Sequence, residues 1–62
     1  MQGEVTAQFN LGQNYEEGNG VAADYHLAMQ WYQRAAAQGD AEAKFNIGLL
    51  YYYGKGVAED KL

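Results

Sequence analysis

The sequence contains no cysteine. That absence removes disulfide staples, thiolate nucleophiles and zinc–thiolate sites together, and it leaves the redox compartment open. Basic residues are few: Arg34, Lys44, Lys55 and Lys61 stand against eight acidic residues, for a net charge of −4. Chains that bind nucleic acid carry the opposite sign in clustered Lys and Arg, so nucleic acid is not an expected partner. Long hydrophobic runs are missing as well. The apolar stretches are broken by Gly and polar residues, far short of the ~20 that span a bilayer, and the chain does not open on a basic segment followed by an apolar one. It therefore reads as soluble, with no membrane partner and no targeting segment. Length is limited too. At 62 residues the chain is one domain at most, and a domain this small buries only roughly 60% of the surface its unfolded form exposes, so marginal stability is expected.

What the sequence does have is a period of 36 residues. Residues 2–24 fall on 38–60, pairing Gln2, Gly3, Ala7, Phe9, Asn10 and Gly12 with Gln38, Gly39, Ala43, Phe45, Asn46 and Gly48. Tyr15, Gly18, Gly20, Val21, Ala22 and Asp24 then match Tyr51, Gly54, Gly56, Val57, Ala58 and Asp60, giving 12 identities over 26 overlapping positions. A repeat of this size is the mark of a helical solenoid, whose units bury their apolar faces only by stacking on neighbours.

Within each period the apolar spacing is helical. Ala7, Leu11 and Tyr15 step by four with Val5, Phe9 and Gly12 beside them, predicting a helix over about 4–17. Gly18 and Gly20 suit a left-handed cap and a tight turn. Asp24 reads as the N-cap of a second helix over about 24–38, with Leu27, Ala28, Trp31, Tyr32 and Ala35 as its stripe and Gly39 as its end. Asp40 opens a third helix over about 40–53, which Gly54 stops, and Asp60 would cap a fourth whose start occupies 60–62. Gly inside a helix costs roughly 0.5 to 1 kcal/mol relative to Ala, so Gly12 and Gly48 at equivalent positions imply notches for a bulky side chain, with Trp31 or Tyr32 as the occupant.

These residues carry a resemblance. The string Ala7, Leu11, Gly12, Tyr15, Gly18, Gly20, Val21, Asp24, Ala28, Trp31, Tyr32, Ala35, Ala36 and Gly39, repeated in part from Ala43 onward, resembles the Sel1-like repeat, a relative of the tetratricopeptide repeat. Ala22 and Ala58 stand where that family often has Pro, Leu27 where it often has Lys, and Asn14 where it tends to have an apolar residue. The resemblance implies an all-α solenoid of antiparallel helix pairs, about 1.7 repeats over residues 1–62. It also implies a scaffold for protein or peptide partners with no cofactor. A cysteine-rich branch linked to cell-wall-related compounds is not matched, because its disulfides cannot form here.

No residue set points to catalysis. Gly54, Lys55 and Gly56 lack the spacing of a phosphate loop, and their counterpart Gly18, Asn19 and Gly20 has no Lys. His26 is the single His, without a second ligand or base partner. Glu16 with Glu17 reads as a solvated helix end, and Glu59 with Asp60 as a cap with its neighbour. An enzyme or small-molecule binder is therefore the last of the function classes, and no metal site is expected.

The two copies differ most on one arc. Asn10, Gln13, Asn14 and Glu17 in the first correspond to Asn46, Leu49, Leu50 and Tyr53 in the second. By resemblance this arc lines the concave surface, where Asn10 and Asn46 would pin a ligand backbone. The favoured reading is that Leu49, Leu50 and Tyr53 are covered by another copy of the chain, since an exposed apolar stripe of that size on a monomer is unusual. Fewer than the three or so repeats usually needed for stability are present. Val5 and Phe9 would face a missing earlier helix, and Phe45, Gly48 and Tyr52 a missing later one. A homo-oligomer is expected on that ground, with a dimer favoured over an open stack. The alternative is an engineered or excised minimal building block whose only activity is self-assembly.

Overall fold

The computed structural model describes residues 2–54 and shows three helices: α1 (Gln2–Glu17), α2 (Tyr25–Ala37) and α3 (Ala41–Tyr53). There is no strand among the described residues, and the chain adopts the all-α helical-repeat class. Gly56, Asp60 and the helix start expected at 60–62 lie outside the described residues, as does Lys55.

Local chemistry sets each boundary. The α1 end is closed by Gly18 at φ 76°, where the NH groups of Gly18 and Asn19 both donate to the Asn14 carbonyl at 2.7 and 2.9 Å. Only a residue tolerant of the left-handed region closes a helix in this way without strain. The Asp24 NH then donates back to the Tyr15 carbonyl at 2.8 Å, fastening the loop to the helix it has just left. Asp24 accepts from the Leu27 NH at 3.1 Å and so caps α2. Between α2 and α3 the turn is shorter still. The Gly39 NH bonds the Ala36 carbonyl and the Asp40 NH the Ala35 carbonyl, a Schellman arrangement in which Asp40 ends one helix while its carboxylate accepts from the Glu42 NH and starts the next.

These short turns make α2 antiparallel to α1. Gln38, just past the α2 end, donates to Gln8 at 2.6 Å, Tyr32 stacks on Phe9 with ring centroids 5.5 Å apart, and the Tyr32 hydroxyl donates to Glu16 at 2.6 Å. Helix α2 is the centre of the packing. Among the described residues six apolar side chains are buried: Ala28, Met29, Tyr32 and Ala35 lie on it, and Ala43 and Leu50 of α3 complete the set. Val5, Phe9, Tyr15, Tyr25, Ala36 and Ile47 close around them.

Several residues sit differently from their expected places. The α2 stripe is turned toward Met29, which is buried, and away from Trp31, which is half-buried with the Arg34 guanidinium 4.7 Å from its ring centroid. Helix α2 has to meet two neighbours, so its buried arc is wider than the single face assumed from spacing. The notch at Gly12 belongs to Tyr32 alone. A Cβ there would lie 2.6 Å from Tyr32 Cδ1 and Cε1. Gly48, at the same repeat position, has nothing within 4 Å and is exposed. Ala7 is exposed, whereas its counterpart Ala43 is buried. Phe9 does not wait for an earlier helix, because it is already covered by α2. Leu50, placed by spacing on an outward arc, is only 2% exposed and belongs to the core.

Candidate protein-binding groove

Helix α1 ends at Glu17, α3 ends at Tyr53 and α2 begins at Tyr25, and the short turns bring these three points to one end of the molecule. Between them runs a cleft of about 360 Å³ lined by Glu16, Glu17, Tyr25, Leu49, Leu50 and Tyr53. Leu50 is its closed floor. Leu49 is 38% and Tyr53 59% exposed on the α3 side, while the two carboxylates stand on the α1 side.

One buried tyrosine holds the cleft together. Tyr32 is fully buried, its ring lodged against the bare backbone of Gly12 and its hydroxyl donating to Glu16. Burial pushes its phenol well above the usual tyrosine value, and acceptance by the Glu16 carboxylate and that group's negative charge push the same way. Asn46 of α3 pulls in the opposite direction through its side-chain amide. Tyr32 thus ties α2 to α1 through its hydroxyl, and it fixes Glu16 at the lip of the cleft. Glu17 accepts from the Asn19 side chain at 2.8 Å. Both donors are neutral, so neither compensates the charge of the carboxylate it meets.

The residues expected to form a binding surface are therefore split. Leu49, Leu50 and Tyr53 come together in the cleft. Asn46 is half-buried and turned to Tyr32, Asn14 is half-buried with its carbonyl engaged in the α1 cap, and Asn10 is exposed; none of the three lines the cleft. Glu17, from the expected arc, lines it too, and so do Glu16 and Tyr25, which were not expected there. For Glu16 a signal existed: it stands one turn after Gly12 on the notch strip, within reach of whatever fills the notch. A second, larger depression of about 470 Å³ at the opposite end is bounded by Val5, Thr6 and residues 38–42, and holds none of the expected surface residues. His26 is exposed on α2. Among the described residues there is no grouping of His, Cys, Asp and Glu able to hold a metal ion, and no helix is long and apolar enough to cross a membrane.

The Sel1 repeat profile matches residues 5–40 and again 41–62. The chain belongs to the Sel1 repeat family. Two solved structures agree. A protective antigen present in uropathogenic Escherichia coli strains, displaying an SLR fold, is 43% identical over 97% of this chain with a TM-score of 0.88. A Sel1 repeat protein from Oxalobacter formigenes is 43% identical over 90% of it with a TM-score of 0.85. This chain spans 13% and 22% of those two proteins respectively. No curated protein matches it. Sel1 repeats are generally protein-interaction modules, and their repeat boundary at residues 40 and 41 coincides with the Asp40 cap that opens α3.

Proposed function

We propose that the chain is a non-enzymatic protein-binding module in which α3 is the working helix, and that the outer strip of α3 is a contact between two copies of the chain. The observation that carries this reading is the bare strip of Phe45, Gly48 and Tyr52. Phe45 is 66% and Tyr52 80% exposed around a glycine with nothing within 4 Å of where a Cβ would stand. On α1 the same positions are Phe9, Gly12 and Glu16, and all three are engaged by Tyr32. The strip is thus a surface that this repeat builds to receive a bulky group, and apolar patches left open in this way mark interaction sites.

Its geometry suits self-association. Phe45 and Tyr52 lie three residues before and four after Gly48, about 4.5 and 6 Å along the helix axis. A two-fold axis through Gly48 sets Phe45 of one copy opposite Tyr52 of the other where glycine lets the backbones approach. That contact is self-complementary and closes as a dimer. The general role of Sel1 repeats in protein interaction supports the non-enzymatic part.

Sedimentation equilibrium over a micromolar to millimolar range tests it. A dimer that forms with concentration, and that Tyr52→Glu or Phe45→Ser converts to monomer with helix content retained, is the expected result. A monomer at every concentration contradicts the contact between copies.

A further inference from the structure

We infer that the cleft between the ends of α1 and α3 takes a basic, aliphatic peptide segment, with the stem of an Arg or Lys lying over Leu49 and Tyr53 and its cation at Glu16 and Glu17. The inference rests on the reading of the chain as a protein-binding module, and it names the chemistry of the partner.

Three features select a cation. The first is the pair of carboxylates on one lip, which accept from the neutral donors Tyr32 and Asn19. Next, α1 and α3 both point their C-terminal carbonyls to this end, and neither has a basic residue in its last turn. A helix C-terminus carries about half a negative charge, so Glu16 and Glu17 stand where they disfavour their own helix and where a positive group is most welcome. Finally, the basic residues whose positions are described, Arg34 in the last turn of α2 and Lys44 near the start of α3, sit at the other end of the molecule. Among the described residues no Lys or Arg stands at this end, and the partner supplies that charge. A locally unfavourable arrangement of this kind is the usual trace of a binding role.

Two further features select an aliphatic stem with that cation. Leu50 floors the cleft and Leu49 and Tyr53 wall it, so a small hydrated ion would leave apolar surface uncovered. Arg and Lys lay their methylenes on apolar surface while the charged head stays wet. Tyrosine faces also attract cations. The chain already makes such a contact on its far side, where Arg34 lies over Trp31.

The test is a titration of the ¹⁵N-labelled chain with a blocked peptide of alternating arginine and leucine. One control peptide has citrulline for arginine, with the same shape and no charge, and another has serine for leucine. The expected result is saturable shifts of the Glu16, Glu17, Leu49 and Tyr53 amides with the first peptide and binding weakened about tenfold or more with either control. Glu17→Gln weakens binding about threefold and Glu16→Gln with Glu17→Gln about tenfold, and added salt weakens it further as the screening length shortens. The Tyr53→Ala variant, at an exposed position, weakens binding while the helical circular dichroism stays intact. Equal binding of the citrulline peptide overturns the inference in favour of an uncharged apolar occupant. Absence of binding, or shifts confined to Phe45, Gly48 and Tyr52, overturns it outright. Sedimentation without peptide keeps the two readings apart, because Glu17→Gln leaves the α3 contact between copies untouched.

Discussion

Helices α1 and α3 are copies of one sequence, yet they present opposite faces to α2. On α1 the strip of Phe9, Gly12 and Glu16 packs inward, and Ala7 is exposed. On α3 the matching strip of Phe45, Gly48 and Tyr52 lies open, while Ala43 and Leu50 form part of the core. The lesson is that a repeat position does not have a burial of its own. Helix α2 follows α1 and precedes α3, so it covers the following face of one and the preceding face of the other. The unequal residues record this division. Where α1 has Glu16 and Asn14, α3 has Tyr52 and Leu50, and each polar member of a pair lies half-buried at the edge of α2's reach or engaged by its hydroxyl.

The largest effect is expected at the 14/50 pair. Leu50→Ala removes a buried side chain and should cost about 2 to 5 kcal/mol, enough to unfold a domain of this size. Asn14→Ala, at the same repeat position, leaves the α1 cap intact because only the Asn14 carbonyl serves it, and should change stability by less than about 0.5 kcal/mol. Urea denaturation followed by circular dichroism reads both. Comparable losses would mean that α1 buries this face after all.

A smaller effect tests the strip that α1 turns inward. Tyr32→Phe keeps the ring in the Gly12 notch and removes the donor to Glu16, for an expected loss of about 1 to 1.5 kcal/mol at neutral pH. It also changes the alkaline behaviour. The folded-state value of Tyr32 lies above the ordinary 10.0, so the folded chain holds this proton more tightly than the unfolded one. That contribution is fully present below pH 10 and is lost as the pH rises through the folded value. Thermal melts in steps above neutrality should therefore fall more steeply for the parent chain than for Tyr32→Phe. Parallel curves would remove the Tyr32 to Glu16 bond from the explanation.

Much of this was legible in the sequence, and for a local reason. The caps at Asp24, Asp40, Gly18, Gly39 and Gly54 follow from side-chain and backbone chemistry within a few residues, and the structure has each of them. The notch at Gly12 was legible because an interior glycine in a helix needs a cause. Which face of each copy is covered was not, since Ala7 and Ala43 are the same residue, each followed at two and three positions by Phe and Asn, and the order of helices in space decides their burial. Leu50 was misplaced for that reason, and so was Phe9. Met29 escaped because the width of the α2 stripe depends on two partners. Along the cleft, Leu49 and Tyr53 stood out as apolar exceptions, whereas Glu16 and Glu17 looked like an ordinary helix end until the α3 terminus was brought beside them.

The most direct test compares one substitution at the two equivalent glycines, under dilute conditions where the chain is monomeric. Gly12→Ala sets a methyl 2.6 Å from the Tyr32 ring, which is held at its hydroxyl by Glu16, and should lower stability by about 1 kcal/mol after the helix-propensity gain. Gly48→Ala meets open space and should raise it by roughly 0.5 to 1 kcal/mol. Opposite signs in paired urea titrations are the predicted result. Shifts of the same sign at both positions would contradict the division of faces between α1 and α3.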